Sequence, residues 1–349
     1  MRLGLRAAAV SLAFLLFALV ALLRLGAAEG SDLGPEALDR FAAQPYGFDI
    51  PRTTHPFFLT WSLGDGQAFM SVAADLNGDS ISTGLGYQSY RMGRIGLSVA
   101  ARLLAIGDVG KLPYGLAAAS FLSYGGLLVL AVRLTDRLGL RAMLLGASPA
   151  AVIGTIFDSA EGLGSTLLVL GLTASSMVVA VVGSALLGLT RPTYATALLP
   201  SRSGLWPATA ALAAGGSLQI LLVQWFGIPF SASSESIVPP FTGVLRAIPQ
   251  MTLASGLSSL AVMMMAMILF AHAVSAAYLP WYRVSALVSA LLAVSLGPNI
   301  FEAGPLSPLR VSGALLVLIV LSPMFDLAGV DQRLRRSAQT AQPLEGRTR

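Results

Sequence analysis

The side chains that could do chemistry in this 349-residue chain are few and gather in short stretches. The first stretch is Trp61-Ser-Leu-Gly64-Asp65-Gly66-Gln67-Ala-Phe69, in which two glycines flank an aspartate. Glycine lets the backbone turn tightly and leaves the carboxylate uncrowded, and a general base needs that exposure. The same Asp65 could instead cap the helix that follows it. The second stretch sets Tyr87, Tyr90, Arg91 and Arg94 at i, i+3, i+4 and i+7, one stripe of phenols and guanidiniums if helical. Guanidiniums hold phosphate through paired hydrogen bonds, and lipid headgroups beside interfacial tyrosines would satisfy the same pattern. Asp158 and Glu161 share a turn and could join the same site or simply be solvated there. Arg191, in Leu189-Thr190-Arg191-Pro192, lies between two apolar half-helices and needs an anionic partner at that depth. Arg310, near Asn299 and Glu302, poses a weaker form of the same demand.

Other chemistries have little to work with. The chain has no cysteine, so thiolate nucleophiles, disulfides and Cys-ligated zinc are out. Its two histidines, His55 and His272, argue against an imidazole-based metal centre, and no dedicated site for a divalent cation is evident. His272 on an apolar helix and the run Met263-Met-Met-Ala-Met267 read as packed or lipid-facing filler. A net charge of +5 invites a nucleic-acid reading, but the arginines sit at helix ends and in short loops, not in a dense stripe.

What must position these groups is a membrane. With 55% hydrophobic residues, 11% charged residues and a mean hydropathy of +0.75, the chain is too apolar for a soluble fold, where about a quarter of residues are charged. Apolar runs at about 7–23, 113–132, 142–157, 162–174, 205–226, 252–274, 284–296 and 311–323 predict spanning helices. The run 175–200 predicts two short helices broken at Thr190-Arg191-Pro192, because proline removes a backbone donor. The expectation is an all-α polytopic bundle of about ten membrane helices forming one transmembrane domain over 1–325. Its first run could be a secretory signal, and we favour a retained span. A first external loop over 27–112 holds two segments, 67–76 and 95–106, too short to cross a core of about 30 Å and expected to lie in the interface. Arg133, Arg137 and Arg141 mark a cytoplasmic turn, and Asp158 and Glu161 an external one. The tail 326–349, with five arginines against three acids, is expected to be cytoplasmic and disordered.

The order of these pieces resembles the C-type superfamily of integral membrane glycosyltransferases, which draw sugars from polyprenyl phosphates. The likeness rests on Gly64-Asp65-Gly66-Gln67-Ala-Phe69 after the first span, Tyr90-Arg91-Met-Gly-Arg94-Ile-Gly96 leading into an interfacial helix, and Leu189-Thr190-Arg191-Pro192 in a broken helix. These look like Asp-Gly-Gln-Phe-Tyr, Tyr-Arg-Tyr-x-Arg-x-Gly-Tyr-Pro and Leu-Thr-Arg in bacterial relatives of the mannosyltransferases of cell-surface glycan assembly. The resemblance implies Asp65 as catalytic base, Asp158 or Glu161 as a second acid, and Arg91, Arg94, Arg191 and Arg310 on the donor phosphate. It also leaves Gln67, Tyr87, Tyr90 and Asn299 as substrate contacts. An inverting transfer of a mannose-like sugar or a pentose to an envelope glycan or lipid, on the external face of the bacterial plasma membrane, would follow. Ala68 and the pair Leu97-Ser98 depart from the pattern, where the relatives carry aromatic residues and Tyr-Pro. Two other classes would use the same features: a transporter of an anionic or lipid-linked substrate, with Arg191 at its broken helix, and a non-catalytic membrane scaffold.

Overall fold

A computed structural model describes residues 2–31, 55–63, 66–74, 76, 94–226, 238–302 and 306–328. Among these the chain is helical, without a named strand. The candidates Asp65, Tyr87, Tyr90 and Arg91, and most of the C-terminal tail, lie outside the described residues.

Helix α1 (Arg2–Glu29) has 28 residues, about 42 Å of helix. It overruns the expected 7–23 span at both ends because its charges are satisfied. Arg6 pairs with Asp136 near the end of α4 (Leu112–Leu138), and Arg24 pairs with Asp158 at the other end of α1. The two arginines are about 27 Å apart along the helix axis, close to the thickness of a hydrocarbon core of about 30 Å.

The interfacial segments form as α2 (Gly66–Ala74) and α3 (Ile95–Leu104). Each is about 15 Å long or less, which excludes a crossing. They pack through Phe69, Met70, Leu97 and Ala101 onto Leu112 and Leu116 of α4 and onto Ala160, making a small core at one end of the bundle. Two close backbone approaches fix this end. A Cβ on Gly66 would lie 2.6 Å from the Phe157 carbonyl oxygen, and one on Gly96 would run into the Thr190 hydroxyl.

The expected span 142–157 is not one helix. A 3-10 stretch, Gly139–Leu145, continues α4, and Pro149 then opens a separate α5 (Pro149–Ile156). Proline at the first helical position starts a helix readily and cannot sit inside one. The chain goes on through α6 (Ala160–Thr173) and α7 (Met177–Thr190) to a 3-10 segment, Pro192–Leu198, so the helix does break at Arg191. Next come α8 (Trp206–Phe226), α9 (Thr242–Ala247), α10 (Leu253–Val274), α11 (Pro280–Val294), α12 (Pro298–Glu302), α13 (Leu306–Val311) and α14 (Gly313–Leu321).

Among the described residues four helices are long and apolar enough to cross a bilayer: Leu3–Glu29, Val109–Leu145, Trp206–Gln224 and Leu253–Val274. That is fewer than the ten or so crossings expected. The difference lies in shorter apolar helices such as α6, α7, α11 and α14, which the hydropathy reading counted as spans. The main core joins α4, α6, α10, α11 and α14 with the Pro192–Leu198 segment. α10 leaves Leu253, Leu257, Leu260, Met264 and Met267 exposed, an apolar outer surface suited to lipid.

Candidate functional site

The site grows from the turn between α5 and α6. Asp158 adopts φ +51°, a left-handed conformation that aspartate tolerates better than most residues. Its carboxylate takes Arg24 in a bidentate pair, Nη1 to Oδ1 and Nη2 to Oδ2, both 2.7 Å, with both side chains fully buried. Arg24 also donates to the carbonyls of Thr155 at 2.7 Å and Phe57 at 2.9 Å, and its guanidinium lies over the Phe57 ring. Both oxygens of Asp158 are thus engaged by one arginine that knits α1 to the turn.

Glu161, one helical turn further on and 1% exposed, behaves differently. Its Oε1 accepts from Arg191 Nη2 at 3.0 Å and from Arg310 Nη2 at 3.3 Å. Arg94, buried at the N-terminus of α3, is a third cation within electrostatic reach of the same carboxylate. Arg191 arrives because α7 ends there. Its φ of −147° leaves the helical region, its N–H still donates to Leu187, and Pro192 starts the 3-10 segment. Gly164 on α6 admits it, since a Cβ there would lie 3.1 Å from Arg191 Cβ. Arg310 comes from α13 and Glu161 from the first turn of α6, so four elements converge.

Among the described residues, then, three guanidiniums lie about one carboxylate in a largely buried place. Guanidiniums held together in this way match the geometry of carboxylate and of phosphate, through paired hydrogen bonds. No three His, Asp or Glu side chains gather as a metal site among the described residues.

The sequence candidates therefore separate. Glu161, Arg94, Arg191 and Arg310 come together, and the start of α2, which follows Asp65 in the chain, packs on Phe157 beside them. Asp158 is drawn away into the Arg24 pair. The Gln67 amide donates back to the Ser62 carbonyl within its own segment. Asn299 lies on α12, and its side chain is outside the description, as is that of Glu302. His272 Nδ1 is 3.0 Å from the Tyr282 hydroxyl, which itself donates to the Leu318 carbonyl, a packed histidine away from the arginine cluster.

Two residues were missed. Arg24 reads as the flank of a span, though an arginine followed by Leu25-Gly26-Ala27-Ala28 inside a continuing apolar helix is itself a signal of a buried partner. Tyr194 comes three residues after Arg191, and its ring centroid is 5.8 Å from the Arg191 guanidinium carbon.

Neither a family model nor a curated protein nor a solved structure matches this chain.

Proposed function

We propose that this protein is an inverting membrane glycosyltransferase that takes a mannose-like sugar or a pentose from a polyprenyl phosphate and passes it to an envelope glycan or lipid. The observation that carries the reading is the gathering of Arg94, Arg191 and Arg310 about Glu161 in one largely buried place. A phosphate leaving group gains negative charge as the glycosidic bond breaks, and fixed cations that meet that charge lower the barrier without reorganising.

In this mechanism the acceptor hydroxyl gives its proton to the Asp65 carboxylate as its oxygen attacks the anomeric carbon. The bond from that carbon to the phosphate oxygen breaks, its electron pair stays with the oxygen, and the polyprenyl phosphate departs as a dianion. Arg94, Arg191 and Arg310 hold the phosphate, with Arg91 as a further candidate. We assign Glu161 to holding Arg191 and Arg310 in place, and Asp158 to structure through Arg24.

The positive-inside tendency supports an external site. Arg133, Arg137 and Arg141 are exposed towards the end of α4 where Arg6 meets Asp136, whereas Arg24, Asp158 and Glu161 belong to the other end. The plasma membrane of a bacterium, with both termini in the cytoplasm, fits this arrangement.

The test is transfer from a radiolabelled polyprenyl-phosphate sugar by the full chain in nanodiscs. Asp65→Asn should lower turnover by about 10²–10⁴-fold while the protein stays monodisperse. Wild-type turnover in that variant would sink the reading.

A further inference from the structure

Beyond Arg191 the same break in the helix places a group that the mechanism above does not use. Tyr194 is 3% exposed, and its backbone N–H donates to the Arg191 carbonyl at 2.9 Å, so the two residues close one 3-10 turn. Side chains at i and i+3 share a face in either kind of helix, and in a 3-10 turn they come nearest to eclipsing. The phenol ring is therefore stacked along the arginine, 5.8 Å from its guanidinium carbon. Its hydroxyl lies within electrostatic reach of Arg191 and Glu161 yet makes no hydrogen bond of good geometry, and the Ser165 hydroxyl nearby makes none either.

The hydroxyl points at the start of α14. A Cβ on Gly313 would collide with Tyr194 Oη and would lie 3.2 Å from Ser165 Oγ and 3.1 Å from Ala150 Cβ. Glycine at that position is what gives the phenol its room.

We infer that Tyr194 is a positioning residue for the anion site: it fixes the face of the Arg191 guanidinium while Glu161 fixes its edge, and Gly313 makes the space it needs. A long, flexible arginine side chain loses rotamer freedom when it binds, so restraint by both Tyr194 and Glu161 leaves it aimed before the phosphate arrives. The assignment rests on the anion-binding reading above, and the ligand class it serves is a lipid-linked phosphate monoester.

The experiment uses the full chain in phosphatidylcholine nanodiscs, with farnesyl phosphate as probe, measuring affinity and melting temperature together. Tyr194→Leu removes the ring and should weaken binding about 3- to 30-fold, the range of a desolvated cation–π contact. Tyr194→Phe keeps the ring and should stay within about threefold of wild type. Gly313→Ala pushes on the hydroxyl and should weaken binding, and Gly313→Ala combined with Tyr194→Phe should recover it, because the colliding oxygen is gone. A residue that only packs the core would shift melting temperature in these variants and leave the affinity of the folded fraction unchanged. Wild-type affinity in Tyr194→Leu, or no recovery in the double variant, overturns the assignment while the anion site stands. Absence of farnesyl phosphate binding by the wild type removes both.

Discussion

Replacing Arg24 by methionine should destabilise the protein more than any comparable surface change. The substitution keeps an unbranched apolar stem and deletes a guanidinium that makes two hydrogen bonds of 2.7 Å to Asp158 and one each to the Thr155 and Phe57 carbonyls. Breaking a fully buried pair from one side costs about 3–5 kcal/mol, because the surviving charge has neither water nor partner. Against total stabilities of about 5–15 kcal/mol this is a large fraction, and it corresponds to a fall in melting temperature on the order of 10 °C. Removing both charges should restore much of the loss, since an unpaired buried amide costs less than an unpaired buried charge. Asparagine is the replacement for Asp158 because it too accepts the left-handed φ of +51°. Thermal unfolding of the full chain in detergent, followed by intrinsic fluorescence, would order the variants: Arg24→Met lowest, Arg24→Met with Asp158→Asn well above it. Arg6→Ala is the control, because its pair with Asp136 is exposed, and it should melt with the wild type. If Arg24→Met also melts with the wild type, or the double variant melts no higher than the single one, the pair is not what ties α1 to the bundle.

Gly66→Ala places a methyl group against the Phe157 carbonyl oxygen and the Trp61 backbone, so it should lower stability by about 1–3 kcal/mol, read in the same melting assay. Arg191→Lys keeps the charge and loses the planar fork, and it should weaken farnesyl phosphate binding about tenfold while Glu161 remains neutralised. Because charged contacts partly open to solvent are screened, the same affinity should fall as salt rises, a titration that needs no variant.

Some of this was legible in the chain. The break at Arg191 follows from a proline flanked by apolar runs, and α3 begins where the interfacial segment was expected, at Ile95. Hydropathy failed where charges are paired across long separations. Arg24 reads as the end of a span because Asp158, its partner, is 134 residues away. Apolar runs also misled over 142–157, where Pro149 starts a second helix inside what looks like one segment. In the site, Glu161 and Asp158 look equivalent as an acidic pair on one turn. Only their neighbours distinguish them, one arginine gripping Asp158 and two sharing Glu161. Tyr194 was hidden because the break at Pro192 leaves open whether the chain after Arg191 turns or extends, and its pairing with Arg191 needs the turn closed by the Arg191 carbonyl.

The pairs at the two ends of α1 also bear on the lipid around it. A lone spanning helix adapts to a thicker or thinner bilayer by tilting, at fractions of a kcal/mol per ångström of mismatch. Here the buried Arg24–Asp158 pair fastens one end of α1 to the bundle, while the exposed Arg6–Asp136 pair adds little, so α1 leans less freely than a lone helix. The bilayer must take up more of the mismatch by stretching or thinning. Acyl-chain length, more than headgroup, then becomes the property of the surrounding lipid to which the tightness of the bundle responds.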